Sequence, residues 1–96
     1  MITKHRDYQL QDNNHFHAHV EINPIGVLDV EIVENKQHHQ AEFSELSFMK
    51  VDGHTRLCGR QDATPWQLEL NNKDAEEINR LIDQASEELE ILMRDL

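Results

Sequence analysis

The sequence predicts an α+β fold, in which an antiparallel sheet of four to six short strands (two hairpins plus a last strand) is covered on one face by one long C-terminal helix. Two observations carry this prediction. From residue 72 onwards, apolar residues recur at the i, i+3, i+4, i+7 spacing of one helical face. Earlier in the chain, residues 15–22 and 27–34 alternate between apolar and polar side chains, as strands with one buried face do.

The first half of the chain predicts a short edge strand within residues 6–11, followed by a hairpin of the two alternating strands. The apolar faces of the hairpin stay together only if the numbers of paired residues sum to an even value. We expect a sum of 48, which sets His19 opposite Asp29 and His17 opposite Glu31. A sum of 50 is the alternative, and it also sets histidines against carboxylates.

In the second half, the polar residues 35–40 indicate a loop or hairpin tip, and residues 41–46 fit either a strand or a helical turn. Asp52-Gly53 between two β-prone runs predicts the second hairpin. Residues 66–70 alternate as the last strand.

Asn72 is the expected N-cap of the helix, with a capping box of Asp74 and Glu77 as the alternative. A helix of about 24 residues is roughly 36 Å long, enough to cross a five-stranded sheet. We therefore expect its apolar stripe to pack on the sheet throughout. The stripe comprises Ala75, Ile78, Leu81, Ile82, Ala85, Leu89, Leu92, Met93 and Leu96.

Length and composition predict a single domain, residues 1–96, and exclude several classes of protein. The single cysteine, Cys58, excludes an internal disulfide framework. We find neither the apolar region of a signal peptide nor a run of about 18 apolar residues, so we expect a cytoplasmic protein that does not span a membrane. Cys58 lies in an apolar context and the three glycines form no phosphate-binding loop, so we expect no enzyme.

The charge is strongly negative, with 19 Asp and Glu against 9 Lys and Arg and a net charge of −10. Nucleic-acid affinity comes mainly from cations that neutralise phosphates, so direct binding of nucleic acid is disfavoured. A protein partner with a basic surface is favoured instead. The alternative is that the charge only keeps the protein soluble.

A histidine-rich strand face is the first candidate site. His17 and His19, with the facing carboxylates of Asp29 and Glu31, are the residue types that bind zinc and similar metals. Neighbours on one face of a strand lie about 6.6–6.8 Å apart, so one ion can bind two of them and a facing carboxylate. The alternatives are a solvent-exposed ladder of His–carboxylate pairs or a pH-sensitive surface. We expect no cofactor, and zinc or nickel is the alternative.

The outer face of the helix is the second candidate site. Acids crowd its C-terminal end, where the helix dipole makes negative charge unfavourable, so local stability does not explain them. Recognition of a partner explains them, and an ordinary solvated helix face is the alternative. The predicted partner-binding residues are Asp83, Glu87, Glu88, Glu90, Ile91 and Asp95. The apolar stripe also contains about three heptads, so a homodimer is possible if the end of the helix overhangs the sheet.

Together these features favour a small acidic, non-enzymatic protein-binding module. Such a module would act as an inhibitor or regulator that masks a basic surface on a nucleic-acid-handling protein. A divalent-metal-binding or metal-sensing domain built on the histidine face is one alternative. A structural subunit of a larger assembly is the other.

Overall fold

The computed structural model describes residues 2–94, which form seven strands and one long helix. The strands make two antiparallel sheets, in the orders β1-β2-β3-β4 and β5-β6-β7. The predicted α+β class with a long C-terminal helix is confirmed, with the strands divided between two sheets. The elements are β1 (Lys4–Gln9), β2 (His17–Asn23), β3 (Val27–Ile32), β4 (Gln37–Glu42), a 3-10 turn (Phe43–Glu45), β5 (Ser47–Val51), β6 (His54–Gln61), β7 (Thr64–Leu70) and α1 (Asn72–Arg94).

The β2–β3 hairpin has a register in which paired residue numbers sum to 50, so the expected sum of 48 is wrong and the alternative is correct. Val20 pairs with Val30, and the last pair before the turn is Asn23 with Val27. This register leaves Gly26 in the loop, where it adopts a φ of +109° that other residues rarely tolerate. A sum of 48 would place Gly26 in the ladder, and the needed positive φ would fall elsewhere.

The prediction of a loop or hairpin tip at residues 35–40 is correct for residues 35 and 36, which lie in the turn of the β3–β4 hairpin, and wrong beyond them, because residues 37–42 form β4. The chain turns before it with Lys36 at a φ of 58°, and the Asn35 side chain accepts a hydrogen bond from the backbone N–H of Gln37 at 3.0 Å. β4 is the edge strand of its sheet, and Ala41 is the one residue in it that is buried. A strand with a single apolar inward residue carries no hydrophobic alternation, which explains the error.

The core lies between the two sheets and the first half of α1. The first sheet contributes the inward face of β2 and β3, and the second contributes β6 and β7. Ala85 is the last residue of α1 that belongs to the core. The fully buried large side chains are Ile22, Leu28, Leu57, Leu70, Ile78, Val20 and Val30. None of the helical segments within residues 2–94 combines the length and the apolarity needed to cross a bilayer.

The start of α1 is fixed by Asn71 rather than by the expected N-cap, Asn72. The Asn71 side chain accepts a hydrogen bond from the backbone N–H of Lys73 at 2.9 Å, as an N-cap does. The Asn72 side chain instead accepts a hydrogen bond at 2.7 Å from the hydroxyl of Thr55, a buried residue of β6. A buried hydroxyl needs a partner, and Asn72 supplies it.

Tyr8 connects the edge strand β1 to α1. Its hydroxyl donates a hydrogen bond to Glu77 Oε1 at 2.6 Å, and the Arg6 guanidinium lies 3.6 Å from the same oxygen. Glu77 is therefore engaged with β1 rather than in a capping box with Asp74. Burial of the phenol, together with its hydrogen bond to Glu77, raises the pKa of Tyr8 well above its usual range.

The raised pKa of Tyr8 predicts a specific alkaline behaviour. Tyr8 is the single tyrosine of the chain, so tyrosinate absorbance reports on it alone. The folded chain holds the phenolic proton to a higher pH than the unfolded chain, so the resulting stability is present below pH about 10 and is lost as the pH rises further. We expect no tyrosinate absorbance at pH about 10 while circular dichroism reports a folded chain.

The Tyr8→Phe variant is the control. It should lower the free energy of unfolding at pH 7 by about 1–3 kcal/mol, because Glu77 loses its donor. Its stability should then fall less steeply than that of the wild type as the pH rises above about 10. Ionisation of Tyr8 at its usual pKa in the folded protein would contradict the contact with Glu77.

Candidate functional site

The last part of α1, residues 86–94, extends beyond the core, and we refer to it as the helix end. No side chain from residue 86 to residue 94 is buried, whereas five are buried between residues 72 and 85. Leu92 is 49% exposed and Met93 is 62% exposed. The expectation that the apolar stripe packs on the sheet along its whole length is therefore wrong. Leu96 lies outside the described residues.

The dimensions of the two sheets explain this overhang. The strands do not form one broad sheet beneath the helix, because β5, β6 and β7 hydrogen-bond separately from β1 to β4. A helix of 23 residues is about 35 Å long, and its last buried residue is Ala85, so residues 86–94 project beyond the layer that the helix covers.

An apolar strip continues along the helix end. Leu89, Leu92 and Met93 follow Ala85 at the spacing of one helical face; Leu92 and Met93 are exposed, and Leu89 is half-buried. Leu89 and Met93 also line a shallow, mainly apolar depression together with Ser86, Glu90 and Arg94. Ile91, which is 49% exposed, projects from a different face of the helix. Contiguous exposed apolar residues of this kind are typical of interaction sites.

Glu88 and Glu90 border the apolar strip, and Glu87 lies on the opposite face of the helix beside Ile91. Glu87, Glu88 and Glu90 are exposed, and Asp83 is exposed one turn earlier. Within residues 2–94, the ion pairs of the helix end consist of a single contact, between Arg94 Nη2 and Glu90 Oε1 at 2.8 Å. The structure thus places four of the six predicted partner-binding residues on the helix end, namely Glu87, Glu88, Glu90 and Ile91. Asp83 lies one turn before it, and Asp95 lies outside the described residues.

Leu92 and Met93 are the site residues that the sequence interpretation missed, because it assigned them to the core. Their spacing alone cannot distinguish a buried stripe from an exposed one. The relevant signal was the length of the stripe, which exceeds what short strands can cover once they divide into two sheets.

The histidine face of the first sheet is the second candidate region. Its side chains point outwards because they alternate along β2 with the buried apolar residues. The His17 ring forms a hydrogen bond with Glu34 Oε2 through Nδ1. The other carboxylate oxygen, Oε1, accepts a hydrogen bond from the backbone N–H of His17 at 2.7 Å. The hydrogen bond from the His17 side chain lowers the pKa of Glu34. His19 Nδ1 lies 2.7 Å from Asp7 Oδ1, on the neighbouring strand β1.

The two carboxylates predicted to face these histidines also have other partners. Asp29 Oδ1 accepts a hydrogen bond from the side-chain amide of Gln40 at 2.8 Å. Glu31 Oε2 lies 3.2 Å from His38 Nε2. In the observed register His19 pairs with Glu31, so the predicted opposition of His19 to Asp29 is wrong, as is that of His17 to Glu31. The shift from 48 to 50 moves each partner by two residues.

Strand β1 contributes a histidine that the sequence interpretation did not consider. His5 stacks against His19 with ring centroids 5.4 Å apart, and both rings lie beside Glu21. His5 and His19 are fourteen residues apart, and only the pairing of β1 with β2 brings them together. No sequence spacing would have identified the group without that pairing.

Comparisons of the chain with protein-family models, with curated proteins and with solved structures find no match. The surfaces of the molecule therefore have to indicate its function without the help of a relative. Two of them combine several chemical features in one place. These are the helix end, with its apolar strip and acids, and the group of imidazoles and carboxylates on β1 and β2.

The overhang predicts a sharp contrast in stability along one helix. Leu92→Ala should change the free energy of unfolding by no more than about 0.5 kcal/mol, because the side chain is exposed. Leu81→Ala, the same substitution at a buried position, should lower it by about 2–5 kcal/mol. Denaturant unfolding of dilute protein measures both. A loss above about 2 kcal/mol for Leu92→Ala would mean that the helix end is packed against something in solution.

Proposed function

We propose that this chain is a small acidic, non-enzymatic protein-binding module that masks a basic surface of its partner, with the helix end as the contact. The observation that carries the proposal is the projection of an amphipathic helix beyond its own core, with an apolar strip bordered by acids. Leu89, Leu92 and Met93 stand at i, i+3 and i+4. This is the anchor spacing by which a helix binds in an apolar groove.

The apolar strip supplies affinity in this proposal. Full burial of a Leu or Met side chain contributes about 1.5–3 kcal/mol. Part of that is offset by the loss of freedom on association. Three neighbouring anchors are therefore enough for a specific contact only if polar groups around them are also matched.

The acids supply that match and select the partner. Glu87, Glu88 and Glu90 lie at the negative end of the helix dipole, where lysine or arginine side chains on a partner would relieve the unfavourable field. The net charge of −10 also accelerates encounter with a basic protein. The favoured partner is thus an apolar groove with a rim of lysine and arginine.

Proteins that handle nucleic acids carry such basic surfaces, which supports an inhibitory or regulatory role. A duplex presents one charge per about 1.7 Å, so a length of about 35 Å would carry roughly 20 charges. Residues 72–94 contain seven acids, which are Asp74, Glu76, Glu77, Asp83, Glu87, Glu88 and Glu90. The helix is too weakly charged to imitate a phosphate backbone, so occlusion of the basic surface is the favoured mechanism.

A second copy of the chain fits the helix end less well than a basic partner does. Pairing two helix ends would bring their glutamates together, and like charges at such distances destabilise a contact. Arg94 is the single cation of the described helix end, and it already pairs with Glu90. The charge pattern therefore favours a different protein over a homodimer, and it applies equally to a larger assembly with a basic component.

Capture of partners from an extract of the native host tests the proposal with matched variants. We expect the wild type to retain a basic protein that Leu92→Asp fails to retain. Glu87→Lys combined with Glu88→Lys should weaken retention, and retention by the wild type should fall strongly between about 0.05 and 0.2 M salt because the Debye length shortens.

Two control variants carry the same chemical changes elsewhere. Met49→Asp alters an apolar side chain that is 51% exposed on β5, and Glu42→Lys with Glu45→Lys reverses two exposed charges outside α1. Both controls should retain the partner as the wild type does. Retention that survives Leu92→Asp, or that does not depend on salt, would rule out the helix end as the contact.

A further inference from the structure

Three potential metal ligands meet on the outer face of β1 and β2, away from the helix end. His5 pairs directly with Glu21 across the two strands, and His19 lies two residues before Glu21 on the same face. The distance from His5 Nδ1 to His19 Nε2 is 3.3 Å, and Glu21 Oε1 lies 3.6 Å from the former and 3.7 Å from the latter. Among residues 2–94 this is the one group of three such side chains whose ligand atoms lie within 4.8 Å of each other.

These distances fit a single ion. In tetrahedral coordination with bonds of about 2.0–2.1 Å, ligand atoms lie about 3.3–3.4 Å apart. The three measured separations are close to that value, and a point equidistant from the three atoms lies about 2.1 Å from each. The three ligand atoms therefore already lie close to the separations that one ion requires.

The hydrogen bonds around His19 orient the ligand atoms. An ionised carboxylate can only accept, so His19 Nδ1 donates to Asp7 Oδ1 across their distance of 2.7 Å. The lone pair of the His19 ring is then on Nε2, and this nitrogen accepts a hydrogen bond from the N–H of His5 Nδ1. A carboxylate that holds the second nitrogen of a histidine ligand fixes its tautomer and strengthens it as a ligand. His5 becomes a ligand by carrying its proton on Nε2 instead.

We infer that His5, His19 and Glu21 form a binding site for zinc or a divalent metal of similar preference, with Asp7 as the positioning residue for His19. Two imidazoles and one carboxylate favour such metals over magnesium and calcium, which prefer oxygen ligands. Three protein ligands leave a fourth position to water. That position faces solvent, because the His5 and Glu21 side chains are 54% and 42% exposed.

The charges beside the site also favour a cation. Asp29 and Glu31 line a depression that His19 and Glu21 share. Clustered carboxylates raise the local concentration of cations. His38 lies in the same depression but pairs with Glu31, so it is outside the three-ligand group. The site has no residue in common with the helix end, so the metal-site inference and the proposed function are tested independently.

Bound metal would join β1 to β2 through side chains, in addition to their backbone ladder. β1 is an edge strand, and its side chains also contact the rest of the protein through Asp7 to His19 and through Tyr8 and Arg6 to Glu77. A ligand that binds only the folded chain raises its thermal stability. Zinc should therefore raise the melting temperature and should slow amide hydrogen exchange in β1.

Calorimetric titration of the untagged full chain with zinc tests this site. We expect one zinc per chain, with affinity reduced about 100-fold or more by His5→Ala or His19→Ala, since each removes a ligand. Glu21→Gln, which keeps the side-chain shape, should also weaken binding. Asp7→Asn should weaken it about 10–100-fold, as the loss of an outer-shell partner does.

His17→Ala is the matched control, because His17 is exposed on β2 two residues from His19 but lies outside the group. It should leave the affinity for zinc within about twofold of the wild type. The melting temperature should rise with zinc in the wild type and in His17→Ala, but not in His5→Ala. Circular dichroism without metal checks that every variant is folded. If His19→Ala does not fold, Glu21→Gln replaces it as the variant that tests the site.

Three results would overturn the inference. One is a wild type that binds no zinc. Another is a loss of affinity in His17→Ala equal to that in His5→Ala, which would indicate diffuse binding by exposed histidines. The third is displacement of zinc by a modest excess of magnesium, since two imidazole ligands do not favour that ion.

Discussion

The pairing of Val20 with Val30 is the constraint on which the rest of the molecule depends. Side chains alternate across a strand, so pairing of residues whose numbers sum to an even value keeps the apolar side chains on one face of the first sheet and the histidines and carboxylates on the other. The observed sum of 50 sets which of these side chains are neighbours. The inward face gives α1 a surface to pack on. β1 pairs with the edge of β2 in a register of its own, which sets His5 beside Glu21 on the outward face. The turn that accommodates Gly26 at positive φ thus belongs to the pairing that builds the core, whereas the pairing of β1 with β2 builds the candidate metal site.

The parts of the fold that sequence predicts are those with a strong local pattern. β2, β3 and the first half of α1 alternate or repeat at the right period, and Asp52-Gly53 closes the second hairpin with Gly53 at a φ of +78°. β4 was not predicted because Ala41 is its only buried apolar residue. The N-cap was displaced by one residue because Asn71 and Asn72 are equally suitable locally, and only the tertiary contact with Thr55 separates their roles.

The candidate sites were predictable to different degrees for the same reason. The acids of the helix end are neighbours in sequence, so helical spacing alone brings them together. The exposure of Leu92 and Met93 depends instead on how far the sheets extend, which is a tertiary property. The metal-ligand group depends on strand pairing between distant segments, so His19 was identified as a candidate whereas His5 was not. Local patterns find residue types, and nonlocal pairing determines which of them meet.

The outer edge of β4 has a further consequence. Exposed edge strands offer unpaired backbone groups onto which another chain can add a strand. At Gln40 those groups are occupied: its N–H donates to the Gln61 side chain at 3.0 Å, and its carbonyl accepts the indole N–H of Trp66 at 3.1 Å. The second sheet thereby blocks strand addition at this point of the first, which protects the chain from aggregation through an edge that its polar sequence leaves otherwise open.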